Sequence, residues 1–346
     1  MAMGSPFGTH RVIEPPGVMP QAAWKLNNNM DSIYDNEILV KVERLNIDAA
    51  SFTHLEEEAK GDPQKIAGQI KRIVKERGKM HNPVTGSGGM FIGTVKAMGP
   101  ALKGKFDIKE GDRIASLVSL SLTPLLLKRI KKIDVAKDQV EVDGLAILFE
   151  SGVFAKLPPD LPDMLSLAIL DVAGAPAQTA RLVKPGDTVF IIGAGGKSGL
   201  LCLYEAKRRA GVTGQVIGLG HSEESTKRIA ESGFADLFFQ GDATKPLEIY
   251  QKIRELTHGK LADVTINCVN IPGTEMASIM STRDGGIVYF FSMATNFTAA
   301  ALGAEGIGKD VTMIIGNGYA RGHDKIALNL LRESPQLRQM FEKMFL

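Results

Sequence analysis

The chain has 346 residues, enough for two domains that each bury a core of their own. Apolar residues make up 44% and charged residues 23%, the balance of an ordinary globular protein, and a net charge of +2 gives no reason to expect nucleic acid or a membrane as partner. The two cysteines, Cys202 and Cys268, are too few for a disulfide framework. No secretory hydrophobic segment opens the chain, so a reducing cytoplasm is expected. The longest apolar stretch, Leu117 to Leu127, is broken by Ser119, Ser121, Thr123 and Pro124 and is too short to span a bilayer. Internal repeats are absent.

In chain order, residues 1 to about 36 read as irregular, with Pro6, Pro15, Pro16 and Pro20, yet Phe7 and Trp24 argue that the segment lies on the body of the protein. Glu37 to Leu45 alternates apolar and polar residues and predicts a half-buried strand. Leu55 to Lys79 places Ile66, Ile70, Ile73 and Val74 at helical spacing between basic residues, which predicts a surface helix with a solvated charged face. Met90 to Val118 and Val140 to Leu157 are short strands and glycine turns, as in a small β-barrel or bent sheet. Pro158, Pro159 and Pro162 mark a boundary, giving domains over 1–160 and 161–346.

The second half opens on Val189-Phe190-Ile191-Ile192, an apolar β-branched run that reads as a buried parallel strand. The turn Gly193-Ala194-Gly195-Gly196-Lys197-Ser198-Gly199 follows, then a helix, then Val216-Ile217 as a second strand. Strand, glycine turn, helix and strand form the βαβ unit that holds a pyrophosphate, because bare backbone approaches the phosphates and a helix N-terminus favours an anion. Gly196-Lys197-Ser198 resembles the end of a P-loop, but that motif needs a glycine where Ile191 stands. Helices over 223–232, 246–257 and 273–280 alternate with strands over 237–239, 263–268, 286–292 and 311–315, and a terminal helix is expected over 324–345. That alternation predicts a doubly wound parallel sheet.

The order of parts resembles the medium-chain dehydrogenase/reductase superfamily. Glu37 to Glu43 resembles its first barrel strand, Gly93 to Gly99 with Glu110 to Arg113 its G-x-V and GDRV segment, and Lys184 to Val189 the approach to its glycine turn. The resemblance implies a Rossmann-type domain preceded by a GroES-like β-rich domain, with the helix around 55–79 inserted. Asp48 and Gly88-Gly89-Met90 stand where zinc-dependent members carry a cysteine and Gly-His-Glu, so no metal is expected. The chain also closes on a helix, without that superfamily's usual return to the barrel. Within the superfamily, the runs 8–25, 45–52, 82–95, 117–125, 146–158 and 171–189 are similar to the L-erythro-3,5-diaminohexanoate dehydrogenases of anaerobic lysine fermentation. This likeness implies oxidative deamination of a β-amino acid, releasing 5-amino-3-oxohexanoate, ammonia and a reduced nicotinamide.

Such a reaction needs a base, a cation for the substrate carboxylate and an acid for the distal ammonium. Asp48 occupies the place of the zinc cysteine and is the first candidate for base or ammonium binder, set against a capping role after strand LNI. Asp171, an acid inside an apolar segment, must pair or face the site. His10 and Arg11 are candidates for proton relay and carboxylate clamp; Glu14 and Glu150 rank lower. Gly193, Gly195, Gly196, Lys197, Ser198 and Gly199 are expected at the pyrophosphate. The second strand ends in Gly220-His221-Ser222 without the acid that binds the ribose 2′-hydroxyl, and Ser222, Lys227 and Arg228 are placed to meet a 2′-phosphate. NADP is therefore expected, with NAD tolerated, although the resembled family is generally NAD-linked. Two rival readings remain open, a zinc-free NADPH-dependent enone or quinone reductase and a catalytically silent nucleotide-binding module. Val311 to Ile315, read as an edge strand, suggests a homodimer.

Overall fold

The computed structural model describes residues 2–292, 294–316 and 318–346, and it divides into two units, Met1–Leu161 and Pro162–Leu346. In the first unit a short antiparallel pair, β1 (Val12–Glu14) with β2 (Lys25–Leu26), precedes the long central strand β3 (Glu37–Asn46). Helices α1 (Ala49–Ala59) and α2 (Pro63–Arg77) follow, and then β4 (Met90–Met98), β5 (Arg113–Ser116), β6 (Leu125–Asp134), β7 (Gln139–Phe149) and β8 (Phe154–Lys156). The six longer-range strands form one antiparallel sheet in the order β6-β7-β3-β4-β5-β8. The alternation in β3 sets its two faces. Ile38, Val40 and Val42 share a core with Phe52 and Leu55 of α1 and Ile66, Ile70 and Val74 of α2, while Leu39 packs with Met30, Leu145, Ile147 and Phe149.

The single helix expected over 55–79 is two helices. Lys60 takes a left-handed conformation at the end of α1, Gly61 follows with φ +73°, and Asp62 then caps α2 by accepting from the amides of Gln64 and Lys65. Pro63 at the first helical position completes a stop and a restart that apolar spacing alone does not reveal. Strand β6 was also not expected. Its sequence LLLKRIKKID has no strict alternation, and pairing with β7 decides its conformation; Lys128, Arg129, Lys131 and Lys132 line this edge of the sheet. Beneath the N-terminal segment, the fully buried Lys79 donates from Nζ to the carbonyls of Pro20 (2.7 Å) and Gln21 (3.1 Å).

The second unit begins with α3 (Asp163–Leu170) and α4 (Gly174–Leu182) and continues β9 (Thr188–Ile192), α5 (Lys197–Ala210), β10 (Gln215–Gly220), α6 (Glu223–Ser232) and β11 (Leu237–Gln240). After these come α7 (Pro246–Leu256), β12 (Ala262–Asn267), α8 (Glu275–Ser281), β13 (Thr282–Phe290), α9 (Phe297–Gly306), β14 (Val311–Ile315), α10 (His323–Glu333) and α11 (Pro335–Phe345). All six strands are parallel, in the order β11-β10-β9-β12-β13-β14, a doubly wound sheet with β9 at its switch point. The helix expected over 324–345 is again two, because Ser334 caps and Pro335 opens α11. No described helix is long and apolar enough to cross a membrane.

Candidate active site

The glycine turn is shaped by what its neighbours leave no room for. Gly193 has φ +78°, a region side-chain-bearing residues rarely adopt, and its amide and that of Ala194 both donate to the carbonyl of Leu219. A Cβ at Gly195 would sit 2.1 Å from the Ser225 carbonyl of α6, and one at Gly199 would sit 2.2 Å from the carbonyl of Gly193. These two glycines let α6 and α5 close onto the turn. Gly196 is the N-cap of α5 and supplies no side-chain cap, so the first amides of the helix, at Lys197, Ser198 and Gly199, have no side-chain acceptor. A pyrophosphate fits that arrangement, with bare backbone at the turn and an uncapped positive helix end beyond it.

Beside the turn a small pocket is lined by Gly193, Leu219, His221, Asp242, Val269 and Ile271. The Thr244 hydroxyl (2.7 Å) and amide (2.9 Å) hold Asp242 below the usual carboxylate range. Ser222 caps α6 in a reciprocal pair with Ser225. Arg228 donates from Nε to the carbonyl of Gly195 (2.8 Å) and pairs with Glu224 (2.6 Å), so it braces the glycine turn from outside. Lys227 is exposed and lies 3.9 Å from Glu231. Asp171, at the end of α3, meets Lys197 on the first turn of α5 at 2.5 Å. Asp171 thus pairs, as an acid in an apolar segment must, and its partner is another of the expected site residues.

In the first unit Asp48 is the N-cap of α1: Oδ1 accepts from the Ser51 amide at 3.0 Å. Its other oxygen, Oδ2, is buried and has no hydrogen-bond partner. Capping therefore uses half of the carboxylate and leaves the other half unsatisfied, an expensive state inside a protein unless a ligand completes it. Around it lies the loop 81–89, in which no site residue was expected. Asn82 folds an Asx turn by accepting from Val84 and Thr85, and it donates to the carbonyl of Ser51 (3.2 Å). Ser51 and Thr85 hydroxyls are 2.5 Å apart. A Cβ at Gly89 would collide with the carbonyl of Asn46 and the amide of Asp48, so bare backbone runs alongside the aspartate. His81 opens this loop. Burial and the charges of Lys79 and Arg77 push its imidazole down to about 4, the Ser121 backbone opposing, and Nδ1 is buried without a partner. Asn82-Pro83-Val84-Thr85-Gly86 was the available signal, a turn motif next to a histidine.

His10 and Arg11 fall elsewhere. Arg11 is 3% exposed and grips the fully buried Glu37 with Nε (2.9 Å) and a terminal nitrogen (2.7 Å), its remaining bonds going to the carbonyls of Asn29 and Ser32. His10 accepts from the Ser5 amide at Nδ1 and donates from Nε2 to Glu37 at 2.8 Å. Burial raises the Glu37 carboxyl, but Arg11, the Tyr34 amide and His10 together hold it below its ordinary value. The fork expected to clamp a substrate carboxylate is thus occupied by an internal one, because a buried acid at the start of β3 needs its countercharge. This corrects the expected relay and clamp roles. Among the described residues no group of three His, Cys, Asp or Glu side chains is arranged to hold a metal ion.

One unit is a parallel sheet with a glycine turn at its switch point, and the other is built on an antiparallel sheet. Solved structures agree on the fold. A mycobacterial quinone oxidoreductase aligns with TM-score 0.55 at 17% identity, over 90% of this chain and 82% of its own. An alcohol dehydrogenase from Thermus sp. ATN1 aligns with TM-score 0.52 at 20% identity, over 87% and 82%. Residues 10–158 match the model of the L-erythro-3,5-diaminohexanoate dehydrogenase N-terminal domain. The L-erythro-3,5-diaminohexanoate dehydrogenase of Acetoanaerobium sticklandii is 58% identical over 343 residues, 99% of each chain, and that of Fusobacterium nucleatum is 55% identical over 346 residues, the full length of both. The chain belongs to the L-erythro-3,5-diaminohexanoate dehydrogenase family.

Proposed function

We propose that the protein catalyses the NAD(P)-dependent oxidative deamination of L-erythro-3,5-diaminohexanoate to 5-amino-3-oxohexanoate and ammonia. The observation that carries this reading is 58% identity over 99% of a relative of that name. In the overall balance C3 loses a hydride and water supplies the ketone oxygen as the nitrogen leaves. The nicotinamide, when bound, accepts the hydride. The turn at Gly193, Gly195, Gly196 and Gly199 and the first amides of α5, at Lys197 and Ser198, hold the pyrophosphate, and Arg228 keeps the turn in place through the Gly195 carbonyl.

Asp48 holds the C3 ammonium and takes its proton through Oδ2, the oxygen left over from capping. Asp171 supports the site indirectly, by fixing Lys197 at the start of α5. For the coenzyme we infer a preference for NADP, with NAD accepted. Supporting it are the strand end Gly220-His221-Ser222, which carries no acid, and Arg228, whose guanidinium meets a 2′-phosphate once Glu224 is displaced. The protein acts as a cytoplasmic homodimer, with the outer edge of β14 as the pairing edge. Steady-state assays with 3,5-diaminohexanoate and each coenzyme test the reading. Turnover of enones alone would assign it to the reductases, and coenzyme binding without any turnover would make it a silent module.

A further inference from the structure

The chain's two cysteines, 66 residues apart in sequence, are brought to 3.9 Å Sγ to Sγ. Cys202 is fully buried on the second turn of α5, and Cys268, immediately after β12, is partly buried. Cys268 is built into the wall of the coenzyme turn. Its amide donates to the carbonyl of Ile192, the residue before Gly193, and a Cβ on Gly193 would meet the Val269 side chain at 2.7 Å. The Tyr289 hydroxyl, buried without a partner, lies near both sulfurs, so the spot is under-satisfied even in the reduced state.

We propose that Cys202 and Cys268 form an oxidation site that closes to a disulfide and, in closing, disables the dinucleotide turn. Two thiols in contact but not bonded need to approach by about 2 Å to reach the S–S length. The turn is closely packed on both sides of the pair. Gly199 already presses α5 against the Gly193 carbonyl, and Val269 already fills the space against Gly193. Any part of the contraction carried by the backbone of α5 or of the segment after β12 moves one of these contacts into the turn and spoils its fit to a pyrophosphate. The oxidant is a hydroperoxide. The Cys268 sulfur, as thiolate, attacks the peroxide oxygen, breaking the O–O bond and giving a sulfenic acid and, from hydrogen peroxide, water. The Cys202 sulfur then displaces the hydroxyl from that sulfenic sulfur, a proton leaves with it as a second water, and the S–S bond forms. Both thiols are oxidised and the peroxide is reduced, with no electrons left over. The hydrogen bond with Cys202 and burial hold the Cys268 thiol well above its ordinary value, so the attacking thiolate is scarce and oxidation is slow.

The test uses the full chain, treated with hydrogen peroxide and then freed of it. Intact mass and peptide mapping read the disulfide, and titration of NADPH fluorescence reads the turn. The expected result is a Cys202–Cys268 peptide, loss of two hydrogens, a drop of about tenfold or more in NADPH affinity, and recovery with dithiothreitol. Excess NADPH present during oxidation is expected to slow the bond. Cys202→Ala is expected to bind NADPH normally and to resist the peroxide-induced loss. The proposal is overturned if peroxide gives no such peptide, if the disulfide forms with affinity unchanged, or if Cys202→Ala loses affinity as readily as the parent. If the reduced protein takes up neither coenzyme, the coenzyme reading fails and so does the coupling, whereas disulfide formation is still read by mass.

Discussion

Asp48 carries both the structural and the chemical reading of its position, one on each oxygen. Replacing it with Asn keeps a capping oxygen for Ser51 and removes the charge that would hold an ammonium. The expected outcome for Asp48→Asn is a loss of about 10²–10⁴-fold in kcat on the diamino acid, with coenzyme affinity and thermal stability close to the parent. A variant of full activity would remove the carboxylate from the mechanism. Glu224→Gln addresses the coenzyme. It frees the Arg228 guanidinium from its carboxylate while leaving the bond to Gly195, so NADP is expected to bind more tightly and NAD to be unchanged. Equal effects on both coenzymes would argue that Arg228 only braces the turn. Glu37→Gln strands the Arg11 guanidinium in the interior, and a loss of about 3–5 kcal/mol in urea unfolding is expected.

The turn between β9 and α5 was legible because its chemistry is local: glycines, a preceding apolar strand and a following helix lie within a few residues of each other. Gly195→Ala puts a methyl 2.1 Å from the Ser225 carbonyl, and shifting the turn by about 1 Å is expected to cost on the order of a hundredfold in kcat/KM, with the circular dichroism of the sheet preserved. A neutral substitution would mean that the turn yields and the pyrophosphate sits elsewhere. Breaks inside helical patterns were less legible. Apolar spacing runs straight through Lys60-Gly61-Asp62-Pro63 and through Ser334-Pro335, and only the cap chemistry divides the helices there. Strand β6 was hidden for a different reason. Its basic residues belong to an edge, and its conformation comes from the neighbour it pairs with. The same limit explains Arg11. A fork that binds an internal carboxylate and a fork that binds a substrate look alike in sequence, and Glu37 lies 26 residues away.

For the whole molecule the buried bases set how stability follows pH. His81 is held at about 4 in the fold against an ordinary value of 6.5, and His323 is also lowered by burial. Between those values the unfolded chain binds the proton that the folded chain refuses, so stability falls as pH drops from 6.5 toward 4. The Asp242 carboxyl, held low by Thr244, adds to the loss at the acid end. Replacing His81 with Gln is expected to flatten this limb of a plot of unfolding free energy against pH, and an unchanged slope would show that His81 does not govern it. Lys79 works in the other window. Burial brings it to about 8 from 10.5, so stability is expected to rise between those pH values, where only the unfolded chain keeps the proton.

Lys79 also offers a way to watch the protein open. Its amine is sealed under the carbonyls of Pro20 and Gln21, while no other lysine among the described residues is fully buried. An amine-reactive label therefore meets Lys79 last, and only after the N-terminal stretch has peeled from the sheet. The lag between labelling of the surface lysines and of this one is a clock for that peeling, readable peptide by peptide under native conditions.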